Sequence, residues 1–252
     1  MKLKFLGFAL LAVCVCAVCC MCGSDSKTPD YEFPDGPDPD PDPQPGDYPA
    51  GLTVTEFTDD LGGGKQCLGF VAVADLKANP KLRFNAVHLP QQKIPSRIHA
   101  EFASANRGTA CVTINAGYWW AGNSLSLLVT GGAVKSIENQ TVTRNNQTVY
   151  PVRSSFGQMS SGKFETHWIY CVLDDGNKPY AFPSALDNDE RTNTYMSAPP
   201  TSKTPGAVLW TPQEAVGGGP MLVKEGKNVA VENYWKEVFD GFMGQMKKYC
   251  SQ

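Results

Sequence analysis

Short apolar or alternating segments, bounded by glycine, proline and polar turn residues, recur from residue 68 to residue 223. Such segments are typical of β-strands, because successive side chains of a strand point to opposite faces of a sheet. The pattern predicts strands at Leu68–Ala74, Arg83–Leu89, Thr109–Ala116, Ser126–Val129, His167–Leu173, Ala207–Trp210 and Met221–Val223.

Helical patterns are rarer. The best one covers Ile94–Asn106, with Pro95 or Ser96 at its start, an apolar face that includes Ile98 and Phe102, and Gly108 beyond its end. Thr211-Pro212-Gln213-Glu214 matches a capping box and predicts one further short helical turn. Few helices among many short strands predict an α+β fold on a mixed or antiparallel sheet.

One phrase of the sequence occurs twice. Leu128-Val129 and Gly132 return 94 residues later as Leu222-Val223 and Gly226, and Glu138-Asn139 returns as Glu232-Asn233. Each copy predicts a β-hairpin, with an apolar strand, a turn glycine and a returning strand. Any hairpin would account for the Leu-Val-x-x-Gly part alone, but not for the recurring Glu-Asn pair.

The N-terminus predicts an exported lipoprotein. Lys2 and Lys4 precede an apolar run, and five cysteines then follow between Cys14 and Cys22. This order is typical of a secretory signal over residues 1–22, and the run is short for a membrane span. The small residues before Cys20 favour it as the acylated cysteine, and Cys22 is the rival. We therefore expect a lipid anchor in the membrane and a location in the cell envelope, facing the periplasm or the cell surface.

Residues 23–50 predict an extended acidic linker, since they hold eight prolines and eight acidic residues against one lysine. Removing the +2 of residues 1–22 and the −7 of residues 23–50 from the chain's net charge of −3 leaves +2 on residues 51–252. No basic tract remains there, so we expect no nucleic-acid partner. Residues 51–252 are long enough for one domain with one core.

Cysteines and histidines of this domain predict no metal site. Cys67, Cys111, Cys171 and Cys250 allow three disulfide pairings, but Cys111 and Cys171 lie in apolar runs that suit buried free thiols equally well. The three histidines are too scattered for a ligand pair. Which cofactor the chain uses, if any, stays unknown.

Two loops carry candidate chemistry. The backbone N–H groups of Gly217, Gly218 and Gly219 could face an anion or a sugar hydroxyl, although a tight turn explains them equally well. Arg153 is a candidate phosphate clamp, because a guanidinium binds two oxygens at once. A surface ion pair is the ordinary alternative for an arginine.

A second group of candidates follows a predicted strand. Asn115 ends the strand and could bind a sugar hydroxyl or a phosphate oxygen, although a turn-forming asparagine is the simpler interpretation. Tyr118, Trp119 and Trp120 could stack on a pyranose ring, since three adjacent aromatic side chains cannot all enter one core. Several acidic residues could serve as acid or base, and their spacing pairs none of them: Asp174, Asp175, Asp187, Asp189, Glu190, Glu214 and Glu232.

Asn115-Ala116-Gly117 with its aromatics, together with Gly217-Gly218-Gly219-Pro220-x-Leu-Val-x-x-Gly, resembles the phosphodiester glycosidase family. The domain of that family is the catalytic domain of the enzyme that uncovers mannose 6-phosphate by removing N-acetylglucosamine, and bacterial lipoproteins also carry it. The resemblance covers residues 68–240. The later Pro-Arg and Asp-Gly-Gly-Gly-Ser segments of the family do not occur here, so it implies a partial domain with an unpaired sheet edge near residues 220–233. The alternative is a shorter family variant whose last helix is Asn233–Lys248.

Two functions follow as hypotheses. The resemblance implies a sugar phosphodiester hydrolase, with Asn115 and Arg153 orienting the phosphate, the Gly217–Gly219 amides stabilising charge, and Trp119 or Trp120 holding the sugar. The missing segments leave room for an inactive chain. The other hypothesis is a surface glycan-binding lipoprotein without catalysis, which needs only the aromatic residues and the glycine loop. A carbohydrate or sugar phosphate is the expected ligand in both.

Overall fold

A computed structural model describes residues 48–62, 64–89, 93, 95–104, 108–120, 123–137 and 140–239. The predicted lipidation sites Cys20 and Cys22, most of the linker, and Cys250 lie outside these residues. The described residues divide between two compact units, one within residues 48–83 and 93–115 and the other within residues 84–89 and 116–239. None of the helices in the described ranges is long and apolar enough to cross a membrane.

The first unit contains a long antiparallel hairpin and one helix. Strands β1 (Leu52–Gly62) and β2 (Lys65–Ala74) pair from Leu52 opposite Ala74 to Gly62 opposite Lys65. Helix α1 spans Pro95–Ser104, which confirms the predicted helix to within its ends. The strand predicted at Leu68–Ala74 is confirmed as part of β2. Strand β1 was not predicted, because polar residues lie on both of its faces.

The second unit is built from short strands. In chain order they are β3 (Trp119–Trp120), β4 (Asn123–Ser124), β5 (Leu128–Thr130), β6 (Ala133–Ser136), β7 (Val142–Arg144), β8 (Gln147–Val149), β9 (Arg153–Gln158), β10 (Phe164–Val172), β11 (Lys178–Phe182), β12 (Val208–Leu209), β13 (Glu214–Gly217), β14 (Val223–Lys224) and β15 (Lys227–Asn228). A 3₁₀ turn spans Leu173–Asp175, and helix α2 spans Ala230–Lys236.

Seven of these strands form one sheet in the order β12-β11-β10-β9-β13-β5-β6, and every neighbouring pair is antiparallel. The remaining strands form three separate hairpins, β3-β4, β7-β8 and β14-β15. The described part of the chain is therefore an α+β fold of mostly antiparallel sheet with two helices, as the sequence pattern predicts.

Strand β10 separates two buried clusters, because its side chains alternate between the faces of the sheet. Ile169 and Cys171 pack in one cluster with Trp210 and Ala215. Trp168, Tyr170 and Val172 pack in the other cluster. The core of this unit therefore lies on both sides of the central strand.

Both predicted hairpins are present. The turn of β5-β6 has positive φ at Gly131 (58°) and Gly132 (77°), and the turn of β14-β15 has nearly the same values at Glu225 (51°) and Gly226 (76°). Two consecutive positive φ values are those of a type I′ hairpin turn. The two similar phrases of the sequence thus fold into hairpins with the same turn geometry.

Three predictions of local structure are wrong. Residues 83–89 form no strand, because the N–H of Ala86 donates to the Glu214 carboxylate and its carbonyl accepts from the Thr130 hydroxyl. Residues 109–116 form no strand either, and Val112 and Ile114 are each nearly half exposed. Residues 211–214 form no helical turn.

Strand β13 begins at the last of these four residues, Glu214. Its first residue, Glu214, uses its carboxylate to accept hydrogen bonds from Ala86 N and Gly131 N, at 2.9 Å each. Gln213 N donates to Gln158 O and so extends the ladder between β13 and β9. Long-range partners therefore override the local capping pattern.

Candidate functional site

A buried carboxylate lies where α2 ends. Glu237 is completely buried, and its Oε1 accepts from Trp168 Nε1 and from Met221 N, each at 2.9 Å. Its Oε2 accepts from Ser154 N at 2.9 Å. One side chain thereby joins β9, β10 and the loop that follows β13.

Burial raises the pKa of Glu237, because a charged carboxyl group loses its hydration inside the protein. Hydrogen bonds from Met221, Ser154 and Trp168 oppose this rise, since each of them favours the charged form. The direction remains upward. A carboxyl group with a raised pKa in a cluster of polar residues is a common feature of functional sites, although purely structural networks show it as well.

Arg153 lies beside this carboxylate and binds the chain just after α2. Its Nε and Nη2 donate to the carbonyls of Glu237 and Val238, both at 3.2 Å. Its guanidinium also lies 4.8 Å from the ring centroid of Phe239. The group predicted as a phosphate clamp is therefore engaged with the protein's own main chain.

Tyr118, near the start of the second unit, also lies beside Gly219 and Phe239. Its hydroxyl donates to Gly219 O at 2.8 Å, and its ring centroid lies 5.6 Å from that of Phe239. Burial raises the pKa of Tyr118, with Arg153 opposing the rise. Glycine is required just before it, because a Cβ on Gly117 would lie 2.4 Å from Ser126 Cβ and 2.6 Å from Gly217 O.

The glycine run is explained by pairing and close packing. Gly217 N donates to Leu127 O at 2.7 Å, and Gly218 N donates to Ser154 O at 3.0 Å. Gly219 has φ +134°, and a Cβ there would lie 2.7 Å from Glu237 Oε2. The anion-binding role predicted for Gly217 and Gly218 conflicts with these hydrogen bonds, because each of the two N–H groups already has a carbonyl partner.

The structure brings Tyr118, Arg153 and the three glycines together around Glu237 and Phe239. Asn115 is exposed and belongs to the first unit, and its ligand-binding role stays a prediction. Trp119 and Trp120 form β3, and their backbone pairs with Ser124 and Asn123. Their side chains are outside what the structure describes, so their sugar-stacking role stays a prediction.

Glu237 is the residue that sequence reasoning missed. Its signal in the sequence is a single acidic residue between Trp235 and Phe239, in a segment with no turn chemistry. An acid there suits a helix surface just as well as a core. Only the three donors from distant segments distinguish the two environments.

Most of the other candidate carboxylates have internal partners. Glu190 pairs with Arg144 at 2.6 Å, Asp189 with Arg191 at 2.6 Å, and Glu232 with Lys236 at 2.5 Å. Asp174 accepts from Ser202, and Asp175 accepts from Lys178 and Tyr180. These contacts indicate a structural role for each of these carboxylates.

Within the described ranges, no group of three or more His, Cys, Asp or Glu residues is arranged to hold a metal ion. Among the described residues, Cys67, Cys111 and Cys171 form no disulfide bond; Cys171 is fully buried, as its apolar surroundings in the sequence suggest, whereas Cys111 is only partly buried. Comparisons with protein-family models, with curated proteins and with solved structures each return no match. The resemblance to phosphodiester glycosidases thus stays a prediction.

Proposed function

We propose that this chain is a glycan-binding protein of the cell envelope that does not catalyse a reaction. The main support is the state of Arg153, which only the hydrolase requires: its guanidinium donates to two main-chain carbonyls of the protein itself. Groups that already hold protein partners do not stabilise developing charge on a substrate.

The state of Glu237 supports the same conclusion. A general acid or base must come within hydrogen-bond distance of the proton that it transfers. Glu237 has no exposed surface, and three N–H groups point at its two oxygens. These hydrogen bonds suit a structural role, in which Glu237 connects β9, β10 and the loop after β13. They leave no path to a substrate.

A sugar phosphodiester hydrolase is the second candidate function. One observation favours it: Tyr118, Arg153 and Gly219 gather around a carboxyl group whose pKa is raised. Titratable groups with perturbed pKa values cluster at functional sites, so this combination of aromatic hydroxyl, guanidinium and acid is a candidate for acid–base chemistry. This function requires the cluster to open so that Glu237 and Arg153 exchange protein partners for substrate.

Binding and turnover of the full chain separate the two functions. We expect retention of glycans on an array and no release of sugar from a sugar 1-phosphodiester. Tyr118→Phe is the matched variant, because it removes only the hydroxyl that bonds Gly219 O. Turnover by the wild type that disappears in Tyr118→Phe would establish the hydrolase. An empty array for the wild type would refute the glycan-binding proposal.

The membrane location is a separate part of the proposal. It is supported by the basic start, the apolar run and the cysteine cluster of residues 1–22. A labelled fatty acid should be incorporated by the wild type and lost in Cys20→Ser, with Cys22→Ser as the matched control. Loss in Cys22→Ser alone would move the anchor to Cys22, and label retained after replacement of all five cysteines would refute acylation there.

A further inference from the structure

We infer that an open cavity around Asp187 and Tyr195 binds one neutral pyranose ring of a glycan. The cavity has a volume of about 350 Å³ and lies in the second unit, and its wall includes Asp187, Tyr195, Met196, Ser197, Pro199 and Thr204. It shares no residue with the cluster around Glu237. The choice of a sugar as ligand rests on the proposed function, whereas the location rests on the wall itself.

The carboxylate of Asp187 is the main polar group of this wall. It is exposed, and within the described ranges it has no hydrogen bond or ion pair, unlike its neighbour Asp189, which is held by Arg191. An ionised carboxylate accepts hydrogen bonds at two oxygens. Two adjacent hydroxyls of a pyranose ring provide donors at that spacing, and hydrogen bonds to a charged acceptor are stronger than neutral ones.

The rest of the wall suits the two kinds of surface that a sugar carries. Tyr195, Met196 and Pro199 are half-buried and give an apolar surface for the C–H face of the ring. Ser197 and Thr204 also line the cavity, and the Thr204 hydroxyl already accepts from Thr201 N at 2.9 Å. A cavity at the small end of the range for ligand sites suits one sugar unit, with the remainder of the glycan outside it.

The wall is already fixed without a ligand. Asn188 is buried, and its side chain donates to Tyr150 O at 3.0 Å and accepts from Met196 N at 3.1 Å. Leu186, just before Asp187, has φ +58°, and its N–H donates to Ser184 Oγ at 3.1 Å. Binding to a fixed wall loses little conformational entropy.

The backbone conformation of Leu186 fixes the position of Asp187. A leucine in the left-handed region costs free energy, and it persists only where its surroundings hold it there. Here the Ser184 hydroxyl and the packing of Leu186 against the buried cluster of Trp168 do so. The consequence is a fixed position for the next residue, Asp187, at the cavity.

The test is a saturation-transfer NMR titration of the full chain with methyl glycosides of glucose, galactose, mannose and N-acetylglucosamine. We expect at least one of them to bind, with affinity reduced about tenfold or more in Asp187→Asn, because a neutral amide replaces the charged acceptor. Tyr195→Leu should abolish binding, and Tyr195→Phe, which keeps the ring, should retain it. Near-UV circular dichroism confirms that each variant is folded.

Two controls distinguish sugar binding at Asp187 from a general effect of charge. Glu56→Gln also removes one negative charge from an exposed position, but in the first unit, and should leave binding unchanged. If tetramethylammonium displaces the methyl glycoside, and if binding of tetramethylammonium weakens steeply as salt is added, the cavity is a site for organic cations. That result would overturn the sugar assignment.

The remaining outcomes are equally decisive. Saccharide binding that is unchanged in Asp187→Asn but lost in Trp119→Ala would overturn this site and leave the proposed function standing. Binding of no saccharide by the wild type, here and on an array, would overturn both.

Discussion

Replacing Glu237 by glutamine keeps the shape of the side chain and removes its charge. The amide oxygen still accepts from two of the three donors, Trp168 Nε1 and Met221 N, if the amide turns its oxygen towards them. The amide nitrogen then faces Ser154, whose backbone N–H loses its acceptor, whereas the Ser154 hydroxyl, which also bonds the carboxylate, can turn and accept from the amide. Two hydrogen bonds change from charged to neutral, and one buried donor is left unsatisfied.

The magnitude follows from these three contacts. An unsatisfied buried donor costs about 1–3 kcal/mol, and a hydrogen bond to a charged group exceeds a neutral one by about 1 kcal/mol. Relief of the buried charge, the cause of the raised pKa, offsets part of the sum. We therefore expect Glu237→Gln to lower the free energy of unfolding by about 2–4 kcal/mol.

Urea unfolding followed by tryptophan fluorescence measures this loss, and Trp168 reports on the site because its indole is one of the donors. Glu232→Gln is the matched control, because it makes the same change on α2 at a side chain that is 58% exposed and paired with Lys236. It should cost about 0.5 kcal/mol or less. Equal, small losses in both variants would refute the structural role of Glu237.

Two further predictions test the same region and its electrostatics. Gly219→Ala should lower the free energy of unfolding in urea by about 1–3 kcal/mol, because its Cβ would lie 2.7 Å from Glu237 Oε2 and φ is +134°. The control Gly218→Ala should be nearly neutral, because a Cβ there has no atom within 4 Å. Equal effects of the two variants would contradict the packing around Gly219. The pKa of Glu165 is lowered, chiefly by its hydrogen bond from Lys163, so its stabilising effect is present above the ordinary value of 4.5 and is lost as the pH falls through the lower folded value. Unfolding measured against pH should therefore be less acid-sensitive in Glu165→Gln than in the wild type, and unchanged sensitivity would contradict the assignment.

The sequence predicts those strands whose apolar residues are themselves buried. Strand β10 is found because five of its residues in a row, Trp168 to Val172, are buried. Strand β9 is missed because Ser154 and Ser155 are polar although buried. The N–H of Ser154 is satisfied by Glu237, a partner 83 residues away that no local pattern indicates.

The opposite error has the same cause. Residues 83–89 alternate as a strand does, yet the polar groups of Ala86 are satisfied by the side chains of Glu214 and Thr130, and no neighbouring strand is needed. For the candidate site, the sequence picks out Tyr118, Arg153 and the glycines, and the fold does bring them together. It does not indicate their partners, because main-chain carbonyls such as Glu237 O and Val238 O leave no mark in a sequence.

In the function proposed above, the full chain binds a glycan and leaves it chemically unchanged. The most direct test is a proton NMR time course of the protein with a bound glycan and with the sugar 1-phosphodiester of the same sugar. We expect saturation transfer to the glycan and constant anomeric signals for both compounds over the whole course. Growth of a free-sugar anomeric signal, above that of a sample without protein, would contradict it.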